Sequence, residues 1–305
     1  MLEFDKVRTY PIRERRNLVG LEDFLPPEQT RADWDAEGFD ELCQRVYEAA
    51  RSGRTVLMQF GAHVIKCGLG LVVRDLMRRG FVHHLAMNGA CPIHDFEIAL
   101  IGETSEDVAE SIEDGSFGMA EETGRFINET INVTDEGFGR AVGRRISEER
   151  LPHRDHSVLC GAFEMDVPAT VHVAIGTDII HQHPTFDGAK TGAASHRDFR
   201  HYVETVAGMA GGVLLNFGSA VILPEVFLKA LSISRNLGHA VAPLSTASFD
   251  IREDIEDYYF RPCKNVVRRP TSKGGKGYNF RVDHRRSIPA LHRRLIRLAD
   301  EEGSP

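Results

Sequence analysis

Five short, largely apolar segments recur along the chain, each running into glycine-bearing or polar turns with helical stretches between them. They are TVLMQF (55–60), VHHLAMNG (82–89), ATVHVAIG (169–176), GGVLLNFG (211–218) and AVAPLS (240–245). A strand that is apolar on both faces has to be covered on both, which an open antiparallel sheet does not do. Strand, turn and helix in repetition therefore predict an α/β fold with a mainly parallel sheet and helices on both faces. The helical stretches begin near Asp35, where Phe39, Leu42, Cys43 and Val46 recur at helical spacing up to Gly53. Others end at Arg78-Arg79-Gly80, start from Asp95, and occupy about 195–209, 223–236 and 288–299. Thr104 and Asp107 have the spacing of a helix-capping box. No linker interrupts 35–305, which is predicted to be one domain. Residues 1–34 are charged and irregular, with Pro11, Pro26 and Pro27. They form an arm expected to pack on something else, such as a neighbouring subunit, with Trp34 holding it down.

Composition removes several functions. The 305 residues carry 37 Lys and Arg against 45 Asp and Glu, a net charge of −8. That balance lacks the basic footprint of a phosphate-backbone binder, so no nucleic acid is expected. The basic runs Arg13–Arg16, Arg268–Lys276 and Arg285–Arg297 read as solvated faces. No apolar stretch approaches the roughly 18–20 residues that span a bilayer, and the N-terminus has no apolar signal core. No membrane and a cytoplasmic location are the expectation. Cys43, Cys67, Cys91, Cys160 and Cys263 are scattered without a C-x-x-C pair, which predicts reduced thiols.

In a parallel sheet, ligands bind beyond the carboxyl ends of the strands. Four segments then matter: 60–68, 87–97, 176–184 and 217–225. Neither G-x-G-x-x-G nor G-x-x-x-x-G-K-[ST] occurs, so the usual dinucleotide and P-loop fingerprints are missing.

Three stretches resemble the deoxyhypusine synthase family in order and character. They are 56–104, VPATVHVAIGTDIIHQHP (167–184), and 211–250, with its Gly-rich turn, Arg-Asn run and T-x-x-F-D ending; YNFRVDHRRSIPALHRRL (278–295) is a weaker echo. The resemblance implies a Rossmann-like domain that binds NAD, in homotetramers with sites between subunits. In that family NAD takes a hydride from spermidine, and a lysine captures the aminobutyl group as an imine. Carried over by position, the nucleotide contacts fall on Ala62, His63, Lys66, Asn88, Gly89 and His94 or Asp95. Asp178, Gly218, Ser219, Thr246 and Asp283 complete them. Asp178, His183, Asp250 and Lys264 are the implied catalytic or amine-binding residues.

The chain departs from the family at several of these places. Its turn is Met87-Asn88-Gly89-Ala90 rather than Thr-Ala-Gly-Gly, and His183 stands where a polyamine-binding carboxylate belongs. The family's Lys-His-His run falls near Leu223-Pro224-Glu225, and the segment bearing the imine-forming lysine has no match; Lys264 is the nearest. The expectation is an NAD-dependent enzyme acting on a small amine or polyamine by hydride abstraction and imine transfer or hydrolysis, without making deoxyhypusine. His183 suits proton transfer near neutrality. One alternative is an NAD-binding oligomer that has lost catalysis. Another is a metal-assisted hydrolase or lyase, with His181 and His183 on one strand face and His83, His84 or His94 beside them.

Overall fold

In the computed structural model, which describes residues 3–303, the six sheet strands are β2 (Val56–Phe60), β3 (His84–Asn88), β5 (Ala169–His172), β6 (Val213–Phe217), β7 (Ser245–Asp250) and β8 (Lys276–Arg281). Residues 1–2 of the arm and 304–305 of the domain lie outside the described residues. Every adjacent pair is parallel, in the order β5-β3-β2-β6-β7-β8. Counted within the sheet alone, that order is 3-2-1-4-5-6, the order of dinucleotide-binding folds.

Alternation along the strands explains the layering. Val56, Met58 and Phe60 face a core built with Phe39 and Val46 of α1 (Phe39–Arg51) and Val72 and Leu76 of α3 (Gly70–Arg78). Leu291 and Leu295 of α11 (His284–Gly303) join them. Leu57 and Leu214 face the other way, onto Tyr202 and Val206 of α9 (Gly188–Ala207) and Phe227 and Leu231 of α10 (Ile222–Asn236). The polar residues of this second face pair among themselves. Gln59 donates to Asn216 at 2.8 Å, Asn216 donates to Ser248 at 3.2 Å, and the Tyr202 hydroxyl donates to Gln59 at 2.7 Å. Register makes this possible, since Gln59, Asn216 and Ser248 lie side by side. Satisfied in this way, they are tolerated inside the core.

The remaining helices are α2 (His63–Lys66), α4 (Ala90–Ile101), α5 (Val108–Asp114), α6 (Glu121–Val133), α7 (Phe138–Glu148) and α8 (Val158–Glu164). The arm packs on its own chain. Its β1 (Asn17–Gly20) runs antiparallel to β4 (Glu103–Glu106), and Thr30 contacts buried His292 at 2.9 Å. Trp34 meets Phe39, Phe249 and Phe280 edge-on, as the expectation for that residue required.

Two local expectations change. The fifth strand is 245–250, not 240–245, because Pro243 has no N–H to give to a ladder and the chain becomes regular only after it. Thr104 caps no helix: it lies in β4 and donates to Glu97 at 2.5 Å, and Asp107 stands before α5 without a capping side-chain bond. Among the described residues no helix is long and apolar enough to cross a membrane.

Candidate functional site

The sheet's strand order reverses between β2 and β6, so their carboxyl ends open the crevice where such folds take ligands. The Gly61 amide donates to the Phe217 carbonyl at 3.1 Å, and the Gly218 amide to the Phe249 carbonyl at 3.0 Å. Gly218 has φ +70°, and a Cβ there would overlap the ring of His284. His284 opens α11, is buried, and meets Phe217 and His63 edge-on at 6.0 and 6.1 Å. Burial, reinforced by His63, pulls it down to about 4, so it is neutral at pH 7; its Nδ1 has no partner. Gly218→Ala is expected to cost about 1–2 kcal/mol from the left-handed backbone alone, and more from displacing His284. Urea unfolding of the variant checks this; wild-type stability would show that the turn tolerates a side chain.

Beside this crevice, at the end of β3, lies a cavity of about 260 Å³. Its polar wall includes Arg15, Lys66, His94, Glu97, Glu106 and Asp178, and its apolar wall Ile93, Val108, Phe117 and Ile179. Glu97 is fully buried, and burial works against its charge. Arg15, with Nη1 and Nη2 at 2.9 and 2.7 Å from its oxygens, outweighs burial and holds it below the usual carboxylate range. Thr104 and Thr123 donate to the same carboxylate at 2.5 and 2.8 Å. His94 shares Thr104 at 2.8 Å and is pushed down to about 4, chiefly by burial. Glu106 accepts from the Tyr10 hydroxyl and the Gly118 amide, each at 2.9 Å.

Asp178 differs from these two carboxylates. Its side chain is 8% exposed, its Oδ2 has no hydrogen-bond partner, and burial raises it to about 6. It lies so close to Gly89 that any side chain at 89 would overlap the carboxylate. Gly89 is thus the residue that admits Asp178 to the cavity.

Among the anticipated residues, Lys66, His94 and Asp178 line this cavity, with Gly89 behind Asp178 and Asn88 at the end of β3. Ala62, His63, Gly218 and Ser219 gather at the neighbouring ends of β2 and β6. Asp283 follows β8 and is held at about 2, first by its hydrogen bonds from Arg285. Asp250 ends β7 at the same edge, but accepts from the Arg252 amide of its own turn and does not line the cavity.

Other candidates lie elsewhere. Thr246 is the second residue of β7, at the amino end of the sheet, because the strand starts five residues later than anticipated. Asp95 points off the far side of α4. There it accepts from Ser157 Oγ and from the Val158 and Leu159 amides, capping α8. Lys264 sits in a π-helical turn, Cys263–Arg268, over the ring of Tyr259 at 5.9 Å, away from the cavity. His183 is buried against Gly124, and its Nε2 donates to the Gly118 carbonyl at 2.8 Å, so it faces no ligand space.

His181 and His183 do not share a strand face. His181 lies in the turn Ile179–Gln182 and His183 just after it. His83 Nδ1 accepts from the Val56 amide, and His84 is held by Thr205 and Thr170. Among the described residues no group of three His, Cys, Asp or Glu side chains is placed to hold a metal.

Arg15, Tyr10 and Glu106 were not anticipated. Arg15 belongs to a basic run that reads as solvated, yet its side chain is 4% exposed. Only the spacing of two short polar strands could have signalled it, since β1 and β4 carry the arm onto the cavity. His284 was missed too, although it falls within the echo at 278–295.

No family model matches the chain, and no curated protein matches it. Solved structures do. A conserved protein from Methanococcus maripaludis S2, provisionally described as LOR/SDH, is 16% identical with TM-score 0.55, covering 90% of this chain and 74% of its own. The ternary complex of AgrE with ornithine and NAD+ gives 14% identity and TM-score 0.54, over 86% of this chain and 33% of AgrE. A protein from Entamoeba histolytica provisionally described as a deoxyhypusine synthase gives 9% identity and TM-score 0.54, over 86% and 88%. This chain spans about a third of the AgrE chain. These likenesses establish a deoxyhypusine synthase-like α/β fold.

Proposed function

We propose that this protein binds NAD across the ends of β2 and β6 and oxidises a small amine or polyamine held in the adjoining cavity. The observation that carries the reading is Asp178, a buried carboxylate, raised by burial, in the wall of a cavity beside the switch point. A carboxyl perturbed by burial in a cleft is a candidate for a functional group. The AgrE complex, which shares the fold, contains ornithine and NAD+.

The residues present fit a dinucleotide. Gly218 keeps the crevice floor low, His63 is exposed and Lys66 half-exposed as donors for phosphate oxygens, and His284 has a buried nitrogen without a partner. Ala62, Asn88, Gly89, Ser219 and Asp283 stand at or just after the carboxyl ends of β2, β3, β6 and β8. When bound, NAD supplies the hydride acceptor.

The protein's own part is to bind, orient and move a proton. An amine loses hydride readily only once it has shed its ammonium proton. Asp178, raised to about 6, is ionised at pH 7 and basic enough to receive one. His94, neutral at that pH, and the Arg15–Glu97 pair keep the surroundings polar without presenting a loose charge. Because Lys264 stands apart, the imine is released to water in this reading rather than captured by that lysine. The homotetramer and the cytoplasmic location are proposed on the resemblance and on the sequence, respectively.

Calorimetric titration of the folded protein with NAD tests the reading. Micromolar binding is expected, followed by amine-dependent gain of NADH absorbance in a screen of diamines, polyamines and amino acids. No binding by a folded sample removes the reading, and binding without turnover across the screen leaves only a nucleotide-binding protein.

A further inference from the structure

One side chain in the cavity wall carries a lone pair whose state is set by its neighbours. Glu97 is held ionised by Arg15, so its carboxylate can only accept hydrogen bonds. Thr104 Oγ1 lies 2.5 Å from it and must therefore be the donor. A hydroxyl has one proton, and this one is taken. His94 Nδ1, 2.8 Å from the same hydroxyl oxygen, is then the group that donates to it. The ring is neutral at pH 7, held at about 4 chiefly by burial, with Lys66 and Arg15 adding to the effect. A neutral imidazole with its proton on Nδ1 has a bare lone pair on Nε2. That nitrogen has no partner among the described residues and is not sealed off, since the ring is partly exposed and lines the cavity. Ser105, next along β4, lines the same cavity with φ +72°, a left-handed backbone that costs a non-glycine residue about 1–3 kcal/mol. Strain of this kind clusters at ligand sites.

We propose that His94 is a specificity-determining residue: its Nε2 accepts a hydrogen bond from the nitrogen of the bound amine, and Thr104 and Glu97 are the positioning residues that keep that lone pair bare. The proposal rests on the amine-oxidising function given above and deepens it. An ammonium and a neutral amine both carry N–H, so the contact outlasts the loss of a proton to Asp178. His94 is the weaker base of the two, at about 4 against about 6, and so orients the nitrogen without taking its proton. A carboxylate or ether oxygen in the same place has no proton to give and would set lone pair against lone pair. The hydroxyls and carboxamide of NAD are donors too, so the test has to separate the two sources. The other charged or titratable groups lining the cavity are Arg15, Lys66, Glu97, Glu106 and Asp178.

Two measurements on the full chain decide this. The first is ring-nitrogen NMR of protein labelled with 15N-histidine, the His94 signals being those lost in His94→Phe. The proton is expected on Nδ1 in wild type and Thr104→Ser, and no longer confined there in Thr104→Val. The second is calorimetry with NAD and, separately, with 1,4-diaminobutane in the presence of NAD; thermal melts establish folding. Diamine affinity should fall roughly tenfold or more in His94→Phe, the size of a hydrogen bond to a charged group. Thr104→Val should lose less and Thr104→Ser recover it, with NAD binding unchanged throughout. Should Thr104→Val not fold, wild type and His94→Phe decide alone. A proton on Nε2 in wild type overturns the proposal, whatever binds. Folded His94→Phe that takes the diamine as wild type does, or loses only NAD, overturns the amine contact while the function stands. If wild type does not bind the diamine, the function fails first and this contact with it.

Discussion

Asp178→Asn is expected to abolish amine oxidation, by a hundredfold or more, and at the same time to make the protein more stable at pH 8. The first effect follows because the amide cannot take the proton that must leave before hydride does; loss of a positioned general base typically costs 10²–10⁴-fold. The second follows from linkage. Asp178 is raised from 3.8 to about 6 by burial, so the unfolded chain ionises it more easily than the folded one does. Its ionisation therefore weakens folding as pH rises from about 4 to about 6, and the full penalty persists above that. About two pKa units correspond to on the order of 2–3 kcal/mol. Asn has nearly the same shape and no charge to bury, so the variant should recover part of that, and melt a few degrees higher at pH 8. As pH falls through 3.8 the wild-type carboxyl becomes protonated in both states and the difference should fade. Melting curves at pH 8 and pH 4 decide the matter without any substrate. A variant that melts lower than wild type at pH 8 would show that Asp178 is a structural carboxylate, paired in solution, and would remove it from the mechanism.

The architecture was legible where burial imposes a local pattern. Val56–Phe60, His84–Asn88 and Val213–Phe217 lie in the middle of the sheet, and their apolar runs give both strand and parallel pairing. Ser245–Asp250 was displaced by one strand length, because STASFD looks polar and AVAPLS does not. Its Ser248 is instead buried beside Asn216 and bonded to it, a match that only the folded register creates. The same displacement carried Thr246 to the wrong end of the sheet.

The candidate site was half legible for a related reason. Asp178, Lys66 and His94 follow strands or open turns, where position along the chain nearly fixes position in space. His183 and Asp95 obey that rule too, but each side chain turns toward a carbonyl or an amide that lies far along the sequence, at Gly118 and Val158. No spacing in the chain announces such a partner. Arg15 is the extreme case, since an arginine among arginines gives no hint of a buried carboxylate 82 residues away.

That carboxylate makes Arg15→Leu the second large effect. The expected loss is about 3–5 kcal/mol at pH 7.5, because the substitution leaves Glu97 buried and ionised with only two hydroxyl donors. Arg15 holds Glu97 below the usual carboxylate range, so the stability it supplies is present above about pH 4.5 and is lost as pH falls through the lowered folded value. The difference between variant and wild type should accordingly shrink in acid. Adding Glu97→Gln to Arg15→Leu should restore part of the loss, since no charge is then left to bury. Urea unfolding of the two single variants and the double at pH 7.5 yields the coupling directly. An Arg15→Leu variant within about 0.5 kcal/mol of wild type would mean that the arm lies loosely on the body. A loss of the expected size, recovered by the double variant, would make residues 3–34 a structural wall of the cavity. The Arg15–Glu97 pair would then be its fixed floor, against which the unpaired Asp178 is left as the one carboxylate of the three free to meet a ligand.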